Sequence, residues 1–301
     1  MRNVFAVRLA LLPAVAVAFA LAVGSAPGIH AQAGARERTL FVSAVDSSGE
    51  PVDGLAVEDF VITEDGRRRE TLRVSRAVEP MDIARLADNS AEAGRVIGPM
   101  REGLKDFVGT MAGDHQIALI ALADRPTILV NYTSNPMRLE EGINRLFSMS
   151  EAGMTLLDAM VDVSTGLRRR EATRAVVVPV ITDGVEFTNR SGRNVVDALR
   201  QAGVALHVFM IGTATFNSVE ARERAIVLDA GTRETGGQYV TILAATGVGQ
   251  ALQKLARQLS SQYKVVFSRP ESLIPPERTE VASRRSDVTM RGTRARGEAA
   301  N

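Results

Sequence analysis

The chain has 301 residues, 45% of them hydrophobic and 24% charged, with 36 Lys+Arg against 35 Asp+Glu and no cysteine. That apolar fraction excludes a disordered or collagen-like protein, and the missing cysteines exclude disulfides, thiol catalysis and cysteine-ligated zinc. Aromatic residues make up 4% of the chain, without Trp. With a charge balance near zero, neither a stacking platform nor a basic phosphate-binding surface for nucleic acid is encoded.

At the N-terminus Arg2 and Arg8 introduce an apolar run over residues 9–23, broken only by Pro13. The run is shorter than the about 20 residues a spanning helix needs. Ala31-Gln32-Ala33 follows in the A-x-A form of a signal-peptidase site. Residues 1–33 therefore read as a signal peptide, and the mature chain as secreted or periplasmic. The alternative is an uncleaved N-terminal anchor facing outside the cytoplasm, the one route by which this chain would meet a membrane.

Residues 34–78 read as a small β module. TLFVSAVD alternates loosely, SSGEP is a turn, and VEDFVITEDG with ETLRVSR predicts a hairpin around Asp65-Gly66. Arg67-Arg68-Arg69 reads as a solvated strand start. From residue 79 strands and helices alternate. MDIARLA is a strand, and Val96, Met100, Leu104, Phe107 and Met111 recur at helical spacing. HQIALIALAD and PTILVNY are strands joined at Arg125-Pro126, a connection so short that they must be antiparallel neighbours.

Helical patterns cover 137–147 and 156–167, and AVVVPVIT is a strand buried on both faces. A helix around 195–199, the buried strand VALHVFMIG, a helix over 219–228 and the short strand GGQYVTI follow. Val248, Leu252, Leu255 and Leu259 share a helix face, and QYKVVFS closes the series as a strand. The fold class is α/β: a doubly wound, mostly parallel sheet with one antiparallel edge strand, over residues 79–268. Residues 269–301 form a Pro- and Arg-rich tail in which ERTEVASRR and DVTMRG are candidate edge strands and the last ten residues read as disordered.

Ligands of open α/β sheets sit at the carboxyl ends of the strands. Three such ends carry small oxygen groups: Asp88-Asn89-Ser90-Ala91-Glu92, Gly153-Met154-Thr155 and Thr182-Asp183-Gly184. Carboxylates and hydroxyls without His or Cys suit a hard divalent ion, Mg²⁺ or Mn²⁺, that keeps open positions. A partner's carboxylate can fill one of them.

These residues resemble the metal-ion-dependent adhesion site of von Willebrand factor type A domains, of the secreted bacterial type. That site is written D-x-S-x-S, then Thr in a later loop, then T-D-G. Asp88 and Ser90 match the first element, Thr155 the second and Asp183 the last. VDSSGEPVDGLAVEDFVITEDG, GGQYVTI and LARQLSSQYKVVFSRP also resemble that family, so the likeness spans nearly all of the mature chain. It implies a non-catalytic module that binds a protein partner at the strand ends, through an acidic side chain where an ion is held.

Three departures leave the ion open. Glu92 stands where the second Ser belongs, Met154 where a Gly precedes the Thr, and Arg85 lies inside a central strand where an unpaired charge is costly. Glu92 either joins Asp88, Ser90, Thr155 and Asp183 as a ligand, or the ion site has decayed and Arg85 pairs with Asp88 or Glu92 in its place. The second case makes the chain a metal-free scaffold. A metal-assisted hydrolase using the same carboxylates is the remaining alternative. It lacks a recognisable general base, and no nucleophile elbow, phosphate-binding loop or H-E-x-x-H motif occurs. The mature chain's two histidines, His115 and His207, read as strand-start or core residues with satisfied rings.

Overall fold

The computed structural model describes residues 35–270, 274 and 276–295. Residues 1–33, which the sequence reads as a signal peptide, lie outside them. The central sheet has six strands in the order β10-β9-β8-β5-β6-β7. They are β5 (Met81–Ala87), β6 (Gln116–Ala121), β7 (Thr127–Thr133), β8 (Arg174–Ile181), β9 (Val204–Ile211) and β10 (Gln238–Ile242). All pair in parallel except β6 with β7, so the sheet is doubly wound with one antiparallel edge.

Every residue of β8 and β9 is buried, as continuous apolar runs covered on both faces should be. Pro179 sits inside β8, and the β8–β9 ladder skips Val178 and Pro179, because a proline has no N–H to give.

Helices α1 (Ile97–Met111), α2 (Pro136–Asn144) and α7 (Val248–Ser260) pack Met100, Leu104, Phe107, Ile143, Leu252 and Leu255 against one face. On the other face α3 (Leu156–Arg169) and α4 (Gly192–Gln201) contribute Leu157, Met160, Val195 and Leu199. There α5 (Val219–Ile226) runs through a π turn at Val227–Gly231 into the short α6 (Thr232–Glu234). The α2 start is set by Asn135, whose Oδ1 accepts from Met137 N at 3.0 Å, with Pro136 in the first turn. Ser218 caps α5 in the same manner, accepting from Ala221 N at 3.1 Å. No helix among the described residues is long and apolar enough to cross a membrane.

The remaining strands build two small sheets around a second core. β1 (Ala35–Val45), β4 (Thr71–Arg76), β11 (Tyr263–Pro270) and β13 (Thr289–Arg294) lie in the order β13-β1-β11-β4. β2 (Phe60–Glu64), β3 (Arg67–Arg69) and β12 (Thr279–Ser283) lie in the order β12-β2-β3. Leu40, Val42, Phe60, Ile62, Val265 and Phe267 fill the core they share.

The Asp65-Gly66 turn has φ of 48° and 77°, the left-handed pair that a two-residue hairpin turn requires. The hairpin it makes joins β2 to the three arginines of β3. The chain then leaves that sheet, and β4 pairs with β11 instead. β11 is a strand, as its sequence indicates, but it joins β1 and β4 and not the central sheet. The tail supplies β12 and β13, with Gly292–Arg294 inside β13 and residues 296–301 outside the described part.

Polar contacts tie the β sheets to the central domain. Arg174 at the foot of β8 donates to Glu79 O at 2.6 Å, Leu259 O at 3.0 Å and Gln262 Oε1 at 2.8 Å. Gln262 in turn donates to Ser43 Oγ on β1 at 3.0 Å, and Gln258 of α7 donates to Gly49 O at 2.7 Å.

Candidate functional site

The parallel strands bring β5 and β8 side by side, so the residues that follow each strand meet at one end of the sheet. Asp88, fully buried, is fixed there on three sides. Its Oδ1 accepts from Ser90 N at 2.8 Å, and its Oδ2 accepts from Thr182 N at 2.9 Å and Thr182 Oγ1 at 2.5 Å. A buried carboxylate of this kind is stable only with such donors.

Asn89 is the clamp of the loop. Its Oδ1 accepts from Leu122 N and Ala123 N beyond β6, and its Nδ2 donates to Phe147 O after α2. Three loops are thereby held by one side chain.

Ser90 is also buried, yet its Oγ has no hydrogen-bond partner among the described residues. The space beside it exists because residue 184 is glycine: a Cβ built there would lie 2.8 Å from Ser90 Oγ. Thr155 stands before α3, with its N–H and its Oγ1 both donating to Leu122 O, at 2.9 and 2.8 Å. Glu92 begins a 3-10 turn, Glu92–Arg95, and is exposed. Its Cβ is 3.7 Å from the same built position at Gly184, so its stem reaches the edge of the site.

Asp183 is engaged by a residue that the sequence reading missed. Arg224 of α5 is buried, and its Nη2 donates to Asp183 Oδ1 at 2.6 Å while its Nη1 donates to Gly184 O at 2.7 Å. Thr215 N donates to the same Asp183 oxygen at 3.0 Å. Glu186 was missed as well. It is buried against the start of α3, where Oε1 accepts from Leu157 N at 3.2 Å and Oε2 has no partner among the described residues. Burial pushes its carboxyl up to about 7, against the opposing pull of the Leu157 N–H and of Arg224. A signal for Arg224 was available: it lies three and four residues before the buried Val227 and Leu228, on their helix face.

Arg85 does not pair with Asp88 or Glu92, which overturns that alternative. The side chain of Arg85 enters the core between β5 and α1, and its Cζ lies 4.3 Å from the centroid of the Phe107 ring. None of its three nitrogens has a hydrogen-bond partner among the described residues. His115 is a strand-start residue whose Nδ1 accepts from Met81 N at 3.4 Å. His207 is a core residue, but its ring is unsatisfied, with neither nitrogen bonded among the described residues.

These residues fit a hard divalent ion in their chemistry. Asp88, Ser90, Thr155 and Asp183 are oxygen donors, and the unpartnered Ser90 Oγ in the space left by Gly184 is the observation that favours one. The fit depends on hydroxyls, since no group of three or more His, Cys, Asp or Glu among the described residues could hold a metal. Gly184→Ala should displace the Ser90 hydroxyl and weaken Mn²⁺ binding roughly tenfold or more, the scale of changes beside a metal site. Calorimetric titration with Mn²⁺ checks this, and unchanged affinity would show that Ser90 is no ligand.

Around this polar centre stand exposed apolar side chains. Phe147, Val185, Phe187, Phe216 and Val219 are each more than half exposed. Four of them lie on the same loops: Phe147 beside the Asn89 contact, Val185 and Phe187 beside Met154, and Phe216 next to the Thr215 that holds Asp183; Val219 opens α5.

The sequence model of the family described as von Willebrand factor type A domain matches residues 83–186, from β5 through the loop after β8. The chain carries a von Willebrand factor type A domain. Domains of this family commonly mediate protein interactions and are mostly non-catalytic adhesion modules. No curated protein matches the chain at a significant level.

Solved structures similar to the fold include the von Willebrand factor type A protein of Catenulispora acidiphila. It has 10% identity and a TM-score of 0.52, over 88% of this chain and 75% of that one. Proximal thread matrix protein 1 from the mussel byssus, in a structure with a zinc-occupied MIDAS motif, has 17% identity and a TM-score of 0.51, over 69% of this chain. The chain spans about half the length of the mussel protein. At these identities the likeness is one of fold.

Proposed function

We propose that this chain is an exported, non-catalytic interaction module whose protein partner docks on the carboxyl end of the central sheet. The observation that carries the reading is the placement of four exposed apolar side chains, Phe147, Val185, Phe187 and Phe216, on the loops around the Asp88–Ser90 centre. Exposed apolar groups collected on one face, with a few fixed polar groups at their centre, are the pattern of a recognition surface. Export is supported by the Arg2/Arg8 start, the apolar run and Ala31-Gln32-Ala33. Asp88, Ser90, Thr155 and Asp183 would hold Mg²⁺ or Mn²⁺, with Glu92 at the rim. When bound, such an ion supplies open positions for an acidic side chain of the partner.

The test is a pull-down from envelope extract with the wild-type chain and a Phe187→Ser/Phe216→Ser variant. The wild type is expected to retain partners that the variant loses, by tenfold or more in recovery, since buried aromatic anchors dominate interface energetics. Equal recovery by both proteins would remove this face from the interaction.

A metal-free scaffold is the second reading, favoured by the Arg224 contact that already neutralises Asp183. Thermal unfolding in EDTA and then in Mn²⁺ separates the two. An ion at 100 times its Kd stabilises a native-only site by about 2.7 kcal/mol, and a scaffold shows no shift.

A further inference from the structure

We propose that Arg224 is a built-in cation that competes with a divalent ion for Asp183, and so holds the ion affinity of this face low. The inference rests on the ion-assisted form of the reading above and concerns how that site is regulated. The charges fixed at this end of the sheet are Asp88, Asp183, the buried Glu186, the exposed Glu92 and the Arg224 guanidinium 2.6 Å from Asp183. With Arg224 in place, Asp88, Asp183 and the guanidinium together sum to a single negative charge. Affinity for a hard divalent ion rises with the number of anionic ligands it meets.

Arg224 is not a movable surface arginine. It is 2% exposed, and Ser218 caps the helix that carries it. A second hydrogen bond to Gly184 O fixes the backbone beside Ser90. An ion approaching Asp183 meets a carboxylate oxygen that already accepts from the guanidinium and from Thr215 N. The guanidinium performs part of an ion's work: it neutralises Asp183 and orders the Asp183-Gly184 turn without a metal. The face is thereby kept formed at low metal concentration, and an ion adds to it only where the metal is abundant.

The test is calorimetric titration of Mn²⁺ into the purified full chain and into Arg224→Gln, Arg224→Met and Arg224→Lys, with far-UV circular dichroism as the folding control. Gln and Met remove the charge with different shapes, and Lys keeps it. The expected result is Mn²⁺ binding at least tenfold tighter in whichever neutral variants fold, and affinity within a factor of about three of wild type in the Lys variant. Wild type and neutral variants binding Mn²⁺ equally would overturn the role of Arg224 and leave the ion site standing. Lys behaving like Gln and Met would overturn the charge argument in favour of shape. Absence of binding in every variant would overturn the ion site itself, whereas the apolar-face interaction is decided separately by the pull-down.

Discussion

Arg85→Met should raise the stability of this protein, by about 1–4 kcal/mol, the range by which apolar side chains of similar volume stabilise in place of a buried ion pair. Arg85 is 1% exposed on β5, in register with Leu119 of β6 and Val178 of β8. The Phe107 ring 4.3 Å away offers a desolvated cation–π contact of about 2 kcal/mol. Against it stands a desolvation cost of several kcal/mol for an ion without hydrogen bonds. Burial accordingly pushes the guanidinium well below its ordinary value, down to about 9.

Above about pH 9 the unfolded chain then holds a proton that the folded chain releases, so this residue's penalty is full below pH 9 and shrinks as pH rises beyond it. The advantage of Met is therefore largest at neutral pH. Urea unfolding at pH 7 measures it, and thermal unfolding should show roughly 2–4 °C per kcal/mol. A variant less stable than wild type would mean that the ring contact outweighs desolvation.

Most elements of the fold were legible because their signals are local. Val248, Leu252, Leu255 and Leu259 repeat on one face of α7, and the unbroken apolar run of β8 is buried at every position. The Arg125-Pro126 connection required the antiparallel β6–β7 pair, and that pair forms the edge of the sheet. What could not be read was long-range pairing. The residues of β11 alternate as they would in either sheet, and only contact with β1, more than 200 residues earlier, decides which one they join. The same limit hid the departure of β4 from its hairpin.

At the site, chain order located Asp88, Ser90, Thr155 and Asp183 at strand ends, since small oxygen side chains stand out after apolar runs. The groups that condition them were visible at most as an inward-facing position, as Arg224 is by its spacing to Val227 and Leu228, and what they contact was not. Arg224 sits among Glu220, Arg222 and Glu223, where a helix reads as solvated, and its burial follows from Asp183 and Gly184 lying beneath it. Glu186 follows Val185 in a loop with nothing to mark it, and its pocket exists only once α3 docks there. Asn89 looked like a spacer between two ligands and is instead the residue that binds three loops together. Each omission is a polar group whose role is set by a neighbour distant in sequence, and composition and periodicity carry no information about such neighbours.

His207 should make the fold acid-labile. It lies on β9 opposite Gln238 of β10, fully buried, with both ring nitrogens unpartnered among the described residues. Burial first, and the Arg291 cation second, push its imidazole down to about 3 from an ordinary 6.5. Above pH 6.5 the ring is neutral in folded and unfolded chains alike, so its contribution is constant there. As pH falls below 6.5 the unfolded chain takes up a proton that the folded chain refuses until about pH 3, and stability drains across that window. By pH 4 the loss is about 3 kcal/mol relative to pH 7.

Glu186 acts in the opposite sense. With its carboxyl raised to about 7, it favours the folded chain at low pH and loses that contribution as pH rises through 7. Comparison with a variant that keeps Glu186 cancels this part. His207→Leu lacks the titrating ring, so urea unfolding of both proteins at pH 7 and pH 4 should show wild type losing about 3 kcal/mol more than the variant. Equal losses would mean that the ring is protonated inside the folded protein, with an acceptor reached by rearrangement of the Gln238 and Gln258 side chains that already bond to each other at 3.2 Å beside it.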